Sequence, residues 1–380
     1  MKRTCLVLLS MVSLLTVYAQ KPPRENSGYI PADNINTLPG QSGYIDPSGR
    51  FILRQTFEAA GSFSEGLADI KFAGTKWGYI DLTGKMVIQP QFDETSSFSE
   101  GRAAVKQGCK WGYIDKSGRM VIPAQFDQAY EFTDGLALVE VGGKSGYIDG
   151  TGKFFLQSRL SWSPWRFSLG MARVEVSADQ VKVWGYINKT GRLAIKPQYH
   201  HAMDFAEGLA AVSVGGWWHS QTNEWVDVNY GYIDKTGKTV IPFDFDYAGS
   251  FSGGLASVVF KGKAGVIDKS GKYVVEPQFY GIGDFSEGLA SIQLTPRGKY
   301  GYIDRTGTIL IQPQWQGVGR FTNGLAPVHV GGGKYGYIDR TGAIVIEPLF
   351  NKASEFVQGL AVVTIFYERG RIDEKGAWIK

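Results

Sequence analysis

Nine aspartates recur along the chain at a nearly constant spacing: Asp46, Asp81, Asp115, Asp149, Asp234, Asp268, Asp304, Asp339 and Asp373. Two carboxylates in distinct surroundings at one site can transfer protons as acid and base. Nine in equivalent surroundings point elsewhere. Each is followed three residues on by a glycine, as in Asp115-Lys-Ser-Gly118, which is turn chemistry: the aspartate side chain accepts a backbone N–H. One acid per turn also falls short of the converging oxygens that calcium needs. His200-His201 with Asp204 is the nearest thing to a metal set, but adjacent residues on a strand point apart, so surface histidines are expected there and no metal site. No G-x-S-x-G, H-E-x-x-H or phosphate-binding glycine loop occurs. No catalytic residue, cofactor or enzymatic activity is expected.

The other residues with binding chemistry are tryptophans. Five of the ten stand in two irregular places. "GGWWHSQTNEWVDVNY" holds Trp217, Trp218, His219, Glu224 and Trp225; "FFLQSRLSWSPWRFS" holds Trp162, Trp165 and Arg166. Aromatic faces beside polar groups suit sugar rings, flat ligands or the centre of a protein interface. The competing reading is that these rings bury one another.

These residues interrupt a repeat. Gly-Tyr-Ile-Asp occurs at Gly43, Gly78, Gly112, Gly146, Gly231, Gly301 and Gly336, with variants at Gly185, Gly265 and Gly370. The spacings are 35, 34, 34, 39, 46, 34, 36, 35 and 34, the signature of a repeat architecture. In each copy "KWGYID" alternates as a strand does, with Trp111, Tyr113 and Asp115 on one face and Gly112, where a neighbouring ring or backbone can approach closely, on the other. A turn follows, then a second strand such as "RMVIPAQF" that meets a proline. A third element, "FSEGRAAV", places a phenylalanine anchor, a polar turn and the start of a strand. The acid of that turn is Glu65, Glu100, Asp134, Glu207 or Glu287 in some copies and Leu169, Gly253, Asn323 or Gln358 in others, the freedom of a solvated loop position. The longer hairpin from Leu209 to Gly231 and a smaller expansion at Ser177–Val183 break the period.

The Trp-Gly pairs Trp77-Gly78, Trp111-Gly112 and Trp184-Gly185, with the Gly78-Tyr79-Ile80-Asp81 and Gly112-Tyr113-Ile114-Asp115 frames around them, resemble the WG-repeat (KWG-repeat) proteins common among exported bacterial proteins. The resemblance runs from about Gln41 to Lys380. Tryptophan gives way to Ser42, Ser145, Tyr230, Ala264, Tyr300, Tyr335 or Arg369 in other copies, so the ring fills space. The resemblance implies a β-repeat binding or scaffolding role and no known chemistry.

The expectation is an all-β tandem array of about ten three-stranded antiparallel units, stacked as a β-solenoid or superhelix, with a β-propeller-like closure as the alternative. Residues 1–19 read as a signal peptide, with Lys2-Arg3, an apolar run and cleavage after Ala19; 20–40 read as a polar linker and 41–380 as the array, its last copy "GRIDEKGAWIK" a polar cap. Removing Lys2 and Arg3 takes the formal charge from +4 to +2, and no basic block appears, so no nucleic acid partner is expected. No other segment is long and apolar enough to span a membrane. Cleavage would leave Cys109 the lone thiol, at a hairpin tip. The function expected is a non-catalytic exported module that binds a protein partner or scaffolds an envelope complex; the alternative is a cell-surface glycan held by the tryptophans.

Overall fold

The computed structural model describes residues 41–157, 162–178, 181–219, 224–365, 371–372 and 378–379; the expected signal peptide and linker lie outside them. The described residues contain strands and turns and no helix. They form nine four-stranded antiparallel sheets, and in eight of them the strand order follows the chain. Blade 3 is representative. Glu94–Thr95 pairs with Arg102–Gln107, which pairs with Lys110–Asp115, which pairs with Met120–Phe126. No ladder joins one sheet to the next. Within each of the two compact units, successive repeats meet face to face, as β-propeller blades do.

This corrects the expectation of three-stranded units stacked as a solenoid. A solenoid pairs strands of neighbouring repeats edge to edge, whereas each sheet here stops at four. The strand missing from that expectation is the first of each blade, only two residues long in seven of the nine, Glu94–Thr95 being one. Two residues carry no readable alternation, and their shortness lets a four-stranded blade fit a 34-residue period. Blades 4 and 5 differ: their first strands are Gln128–Thr133 and Trp162–Ser168.

Ten sequence copies yield nine blades because the first copy lacks a preceding strand. Gln41–Ile45 takes it from the other end of the chain, Ala361–Ile365, with Tyr44 opposite Val362. Blade 1 is therefore Lys352–Ala353, Ala361–Ile365, Gln41–Ile45 and Phe51–Phe57. The tenth copy, left without a blade, pairs Arg371–Ile372 with Trp378–Ile379; the side chains of its expected polar cap lie outside the described residues. Two compact units result. One holds residues up to Gln91 and from Trp315, with blades 1, 2 and 9; the other, Phe92–Gln314, holds blades 3 to 8.

The motif residues build these blades from within. Gly112 faces a bulge: Tyr113 lies opposite Ile122 and Trp111 opposite Phe126, so Pro123, Ala124 and Gln125 crowd against one position. A Cβ on Gly112 would lie 2.6 Å from the Ile122 carbonyl oxygen and 2.7 Å from the Ala124 nitrogen. The bulge also explains the proline, which sits on an edge strand where no ladder bond is required of it. Tyr113 is fully buried, and its hydroxyl donates to the Tyr130 carbonyl of the next blade at 2.8 Å. Tyr186 reaches Met203 at 2.7 Å, Tyr232 reaches Gly249 at 2.8 Å and Tyr44 reaches Gly61 at 2.7 Å in the same way. Each core cluster spans two blades, as where Tyr113, Ile122 and Phe126 pack with Phe132, Val139 and Ile148.

The polar turns follow from their sequences. Glu100 and Gly101 both adopt left-handed backbone, at φ of 52° and 74°, the turn whose twist matches a tight hairpin. Cys109 sits at the exposed tip between Arg102–Gln107 and Lys110–Asp115.

Candidate functional site

The periodic aspartates are structural caps. Asp115 Oδ1 accepts from the Ser117 N–H at 3.0 Å, the Ser117 hydroxyl at 2.5 Å and the Arg119 N–H at 3.2 Å. Asn188 does the same with Thr190 and Arg192, at 2.9, 2.7 and 3.2 Å, so no charge is needed for the role. The hydroxyl two residues on is the main reason Asp81, Asp115, Asp149, Asp234, Asp268 and Asp304 are held below the usual carboxylate range. At Asp339 burial opposes the shift, and the bonds from Thr341 and Ala343 outweigh it. A carboxyl whose value falls on folding contributes stability that is complete above its unfolded value, about 3.9, and is lost as pH drops through the lowered folded value. Unfolding midpoints in urea should therefore be flat from neutral pH down to about pH 5 and fall steeply below pH 4. Asp115→Asn, which copies Asn188, should keep the cap and make that acid limb shallower.

The histidine pair is also occupied by its surroundings. His201 Nδ1 lies 3.1 Å from Ser213 Oγ, and its ring stacks on Tyr230 at 5.8 Å. Burial lowers the His200 imidazole and raises the Tyr230 hydroxyl to about 12. Asp204 pairs with Arg173 at 2.9 Å.

What remains is the irregular tryptophan-bearing chain, and topology fixes where it lies. In an up-and-down sheet successive connections alternate ends. The hairpin joining the second and third strands therefore opens at the end opposite the polar turns. Blade 5 has its second and third strands lengthened to Met171–Ala178 and Val181–Asn188 at that end. Trp162 pairs with Val176 at the same end of blade 5, on the strand Trp162–Ser168. Blade 6, with strands His201–Ala202, Leu209–Val214, Asn229–Asp234 and Thr239–Phe245, carries there an extra ladder of Trp217–His219 against Glu224–Val226. The two blades are neighbours, sharing a core of Met171, Tyr186, Tyr199, Ala202, Phe205 and Val212. The backbone positions of Trp162, Trp217, Trp218, His219, Glu224 and Trp225 thus gather at one end of two adjacent blades; the side chains of these six lie outside the described residues.

Trp165 is described and sits midway along its strand. It is 44% exposed. Its inner face is covered: the Arg173 guanidinium lies 4.1 Å from its ring centre and 5.5 Å from that of Trp184, and the two indoles are 6.1 Å apart. Arg173 also donates to the Ala202 carbonyl at 2.7 Å, bolting blade 5 to blade 6. Sequence reasoning missed Arg173. Its signal was present, since "FSLGMARV" puts an arginine where other copies carry Ala104, Ala211, Ser257 or Ser291.

Comparison with known proteins places the chain. The family described as WG containing repeat matches it eight times, over residues 43–75, 77–111, 111–144, 184–218, 230–263, 265–295, 300–334 and 335–365. The sheets are those of a β-propeller, and the chain belongs to the WG-repeat family. The matches pass over 145–183 and 219–229, stretches that include Trp162–Ser168, Met171–Ala178 and Glu224–Val226. No curated protein matches the sequence. Among solved structures, a eukaryotic initiation factor superposes with a TM-score of 0.58 at 11% identity, covering 87% of this chain and 98% of that one, a likeness of fold alone. BamB from Moraxella catarrhalis gives 0.39 at 10% identity over 81% and 96% of the two chains, and a streptogramin B lyase 0.34 at 15% over 86% and 98%. Among the described residues no helix is long and apolar enough to cross a membrane.

Proposed function

We propose that this protein is a non-catalytic exported scaffold that presents the irregular end of blades 5 and 6 to a protein partner. One observation carries the reading: the strand at Trp162, the lengthened hairpin around Ala178–Val181 and the added ladder at Trp217–Val226 all fall at the same end of neighbouring blades. The periodic polar groups are engaged inside the repeat, so the departures from the period are what a partner could single out. The apolar run behind Lys2 and Arg3 supports export.

Replacing Trp217–Val228 by a two-glycine turn tests this. Among the described residues the ladder pairs only with itself, so the trimmed protein should fold with an unchanged thermal midpoint. It should lose the partner that the full chain retains from envelope extract. Retention at full strength by a folded trimmed protein would refute the reading. The half-exposed outer face of Trp165, backed by Arg173, favours a second reading in which a cell-wall glycan stacks there. In that case purified glycan should quench tryptophan fluorescence and Trp165→Ala should abolish the quench.

A further inference from the structure

The acids in the turns between first and second strands have a job the sequence did not disclose. Three of them, and the amide of Gln358, reach the corresponding turn of the following blade. Glu100 Oε2 accepts the Gly135 N–H at 2.9 Å, Asp134 Oδ2 that of Gly170 at 2.7 Å, Glu207 Oε2 that of Gly254 at 3.0 Å, and Gln358 Oε1 that of Gly66 at 3.0 Å. At two of these a cation from the following blade completes the arrangement, while the matching positions for Glu100 and Gln358 are Gly150 and Leu82. Lys269 Nζ lies 2.9 Å from the same Glu207 oxygen that Gly254 holds, and Lys189 Nζ lies 3.7 Å from Asp134. The Lys269 hydrogen bond, followed by the glycine N–H groups, keeps the Glu207 carboxyl below its ordinary range. At Asp134 and Glu207 the protein thus builds a full carboxylate seat: one left-handed glycine N–H and one cation from blade n+1, filled by an acid from blade n.

Two seats lack their acid. Between blades 5 and 6 the position is Leu169, 47% exposed, facing the turn of Gly208. Lys235 Nζ is in place and bonds the Leu169 carbonyl at 2.5 Å. Between blades 7 and 8 the position is Gly253, facing the turn of Gly288, and Arg305 is in place on the Gly253 carbonyl. Neither the Gly208 nor the Gly288 N–H has a hydrogen-bond partner among the described residues. Asn323 is a different case, because the cation position of the blade that follows it is Pro47.

We propose that these two empty seats take carboxylates from an acidic peptide segment of a partner. The N–H and the cation match a carboxylate because the sister repeats hold one there in the same way. The surface lies at the end of the sheets opposite the tryptophan ladder, so the proposal stands or falls separately from the one above.

The experiment titrates a fluorescent hexaglutamate peptide into the full chain by anisotropy. Binding is expected, weakening as salt rises. Leu169→Glu with Gly253→Glu installs the residue that the sister turns carry at φ of 50–52° at Glu100, Glu207 and Glu287, and should weaken binding at least tenfold while leaving the thermal midpoint unchanged or raised. Gln358→Glu adds a charge at a seat already filled and should leave binding as it was. Lys235→Gln with Arg305→Gln removes the cations without filling the seats and should weaken binding as the first pair does, giving a result even if the glutamate variant fails to fold. Failure of hexaglutamate to bind the unaltered chain, equal weakening by Gln358→Glu, or survival of binding in both double variants would overturn the proposal. So would inorganic phosphate that competes as well as the peptide does at equal charge, since that would mark a general anion site.

Discussion

Gly112→Ala should destabilise the protein by about 2–3 kcal/mol, the range for a group forced into a packed interior. The added Cβ would land 2.6 Å from the Ile122 carbonyl oxygen and 2.7 Å from the Ala124 nitrogen, both backbone atoms with no rotamer to yield. The bulge would have to open, and with it the seating of Ile122 and Phe126, which are 1% and 0% exposed. The denaturant midpoint reports the loss. Trp111→Tyr is the informative companion. Tyrosine already stands at the matching positions Tyr230, Tyr300 and Tyr335, so that exchange should cost less than about 1.5 kcal/mol. The same backbone approach, within 2.7 Å, recurs at Gly78, Gly185, Gly231, Gly265, Gly301 and Gly336. Of the two residues that name the repeat, the glycine is the one the fold cannot replace. An alanine variant within about 0.5 kcal/mol of the parent would show that the bulge relaxes freely.

Ending the chain after Phe350 should have a still larger effect. It removes Lys352–Ala353 and Ala361–Ile365, and with them the only partner of Gln41–Ile45 on one side. Tyr44 and Ile45, both 0% exposed, would be stripped of Ala361, Val362 and Val363, and an apolar strand edge would face solvent. The expected product is insoluble or aggregated protein by size-exclusion chromatography. A chain ending after Ile365 keeps blade 1 whole and should elute as the full chain does. Equal solubility of the two truncations would mean that the shared blade is dispensable.

Much of this was legible in the sequence. The strand character of "KWGYID", the turn role of its aspartate and the close approach at Gly112 all followed from residue type and alternation. The first strand of each blade did not, because one such as Glu94–Thr95 is too short to show a period and borrows its order from its neighbour. That omission turned blades into three-stranded units and favoured a solenoid. The shared blade was hidden for another reason: nothing local in Gln41–Ile45 announces a partner at Ala361–Ile365. At the candidate site the sequence singled out the irregular chain, and the strand order supplied what periodicity could not, the common end on which it lies. The turn acids were read as solvated because their identity varies. They are exposed, yet Glu100 and Glu207 hold the next turn, and the variation at Leu169 and Gly253 marks where that hold is missing.

Synthesis delivers the two halves of blade 1 far apart in time. The Ser42 and Thr364 hydroxyls end 3.0 Å apart and are separated by 322 positions. At about 5–20 residues per second the first waits roughly 15–65 s for the second. Blades 2 to 9 are each made of consecutive chain and can form as they emerge, while Gln41–Ile45 holds a hairpin with one bare side. The entropy of closing so long a loop grows only with the logarithm of its length, so the delay, more than the free energy, is the vulnerable quantity. A chain halted anywhere before residue 361 would display that bare side, a sign of incompleteness that a chaperone or protease could read.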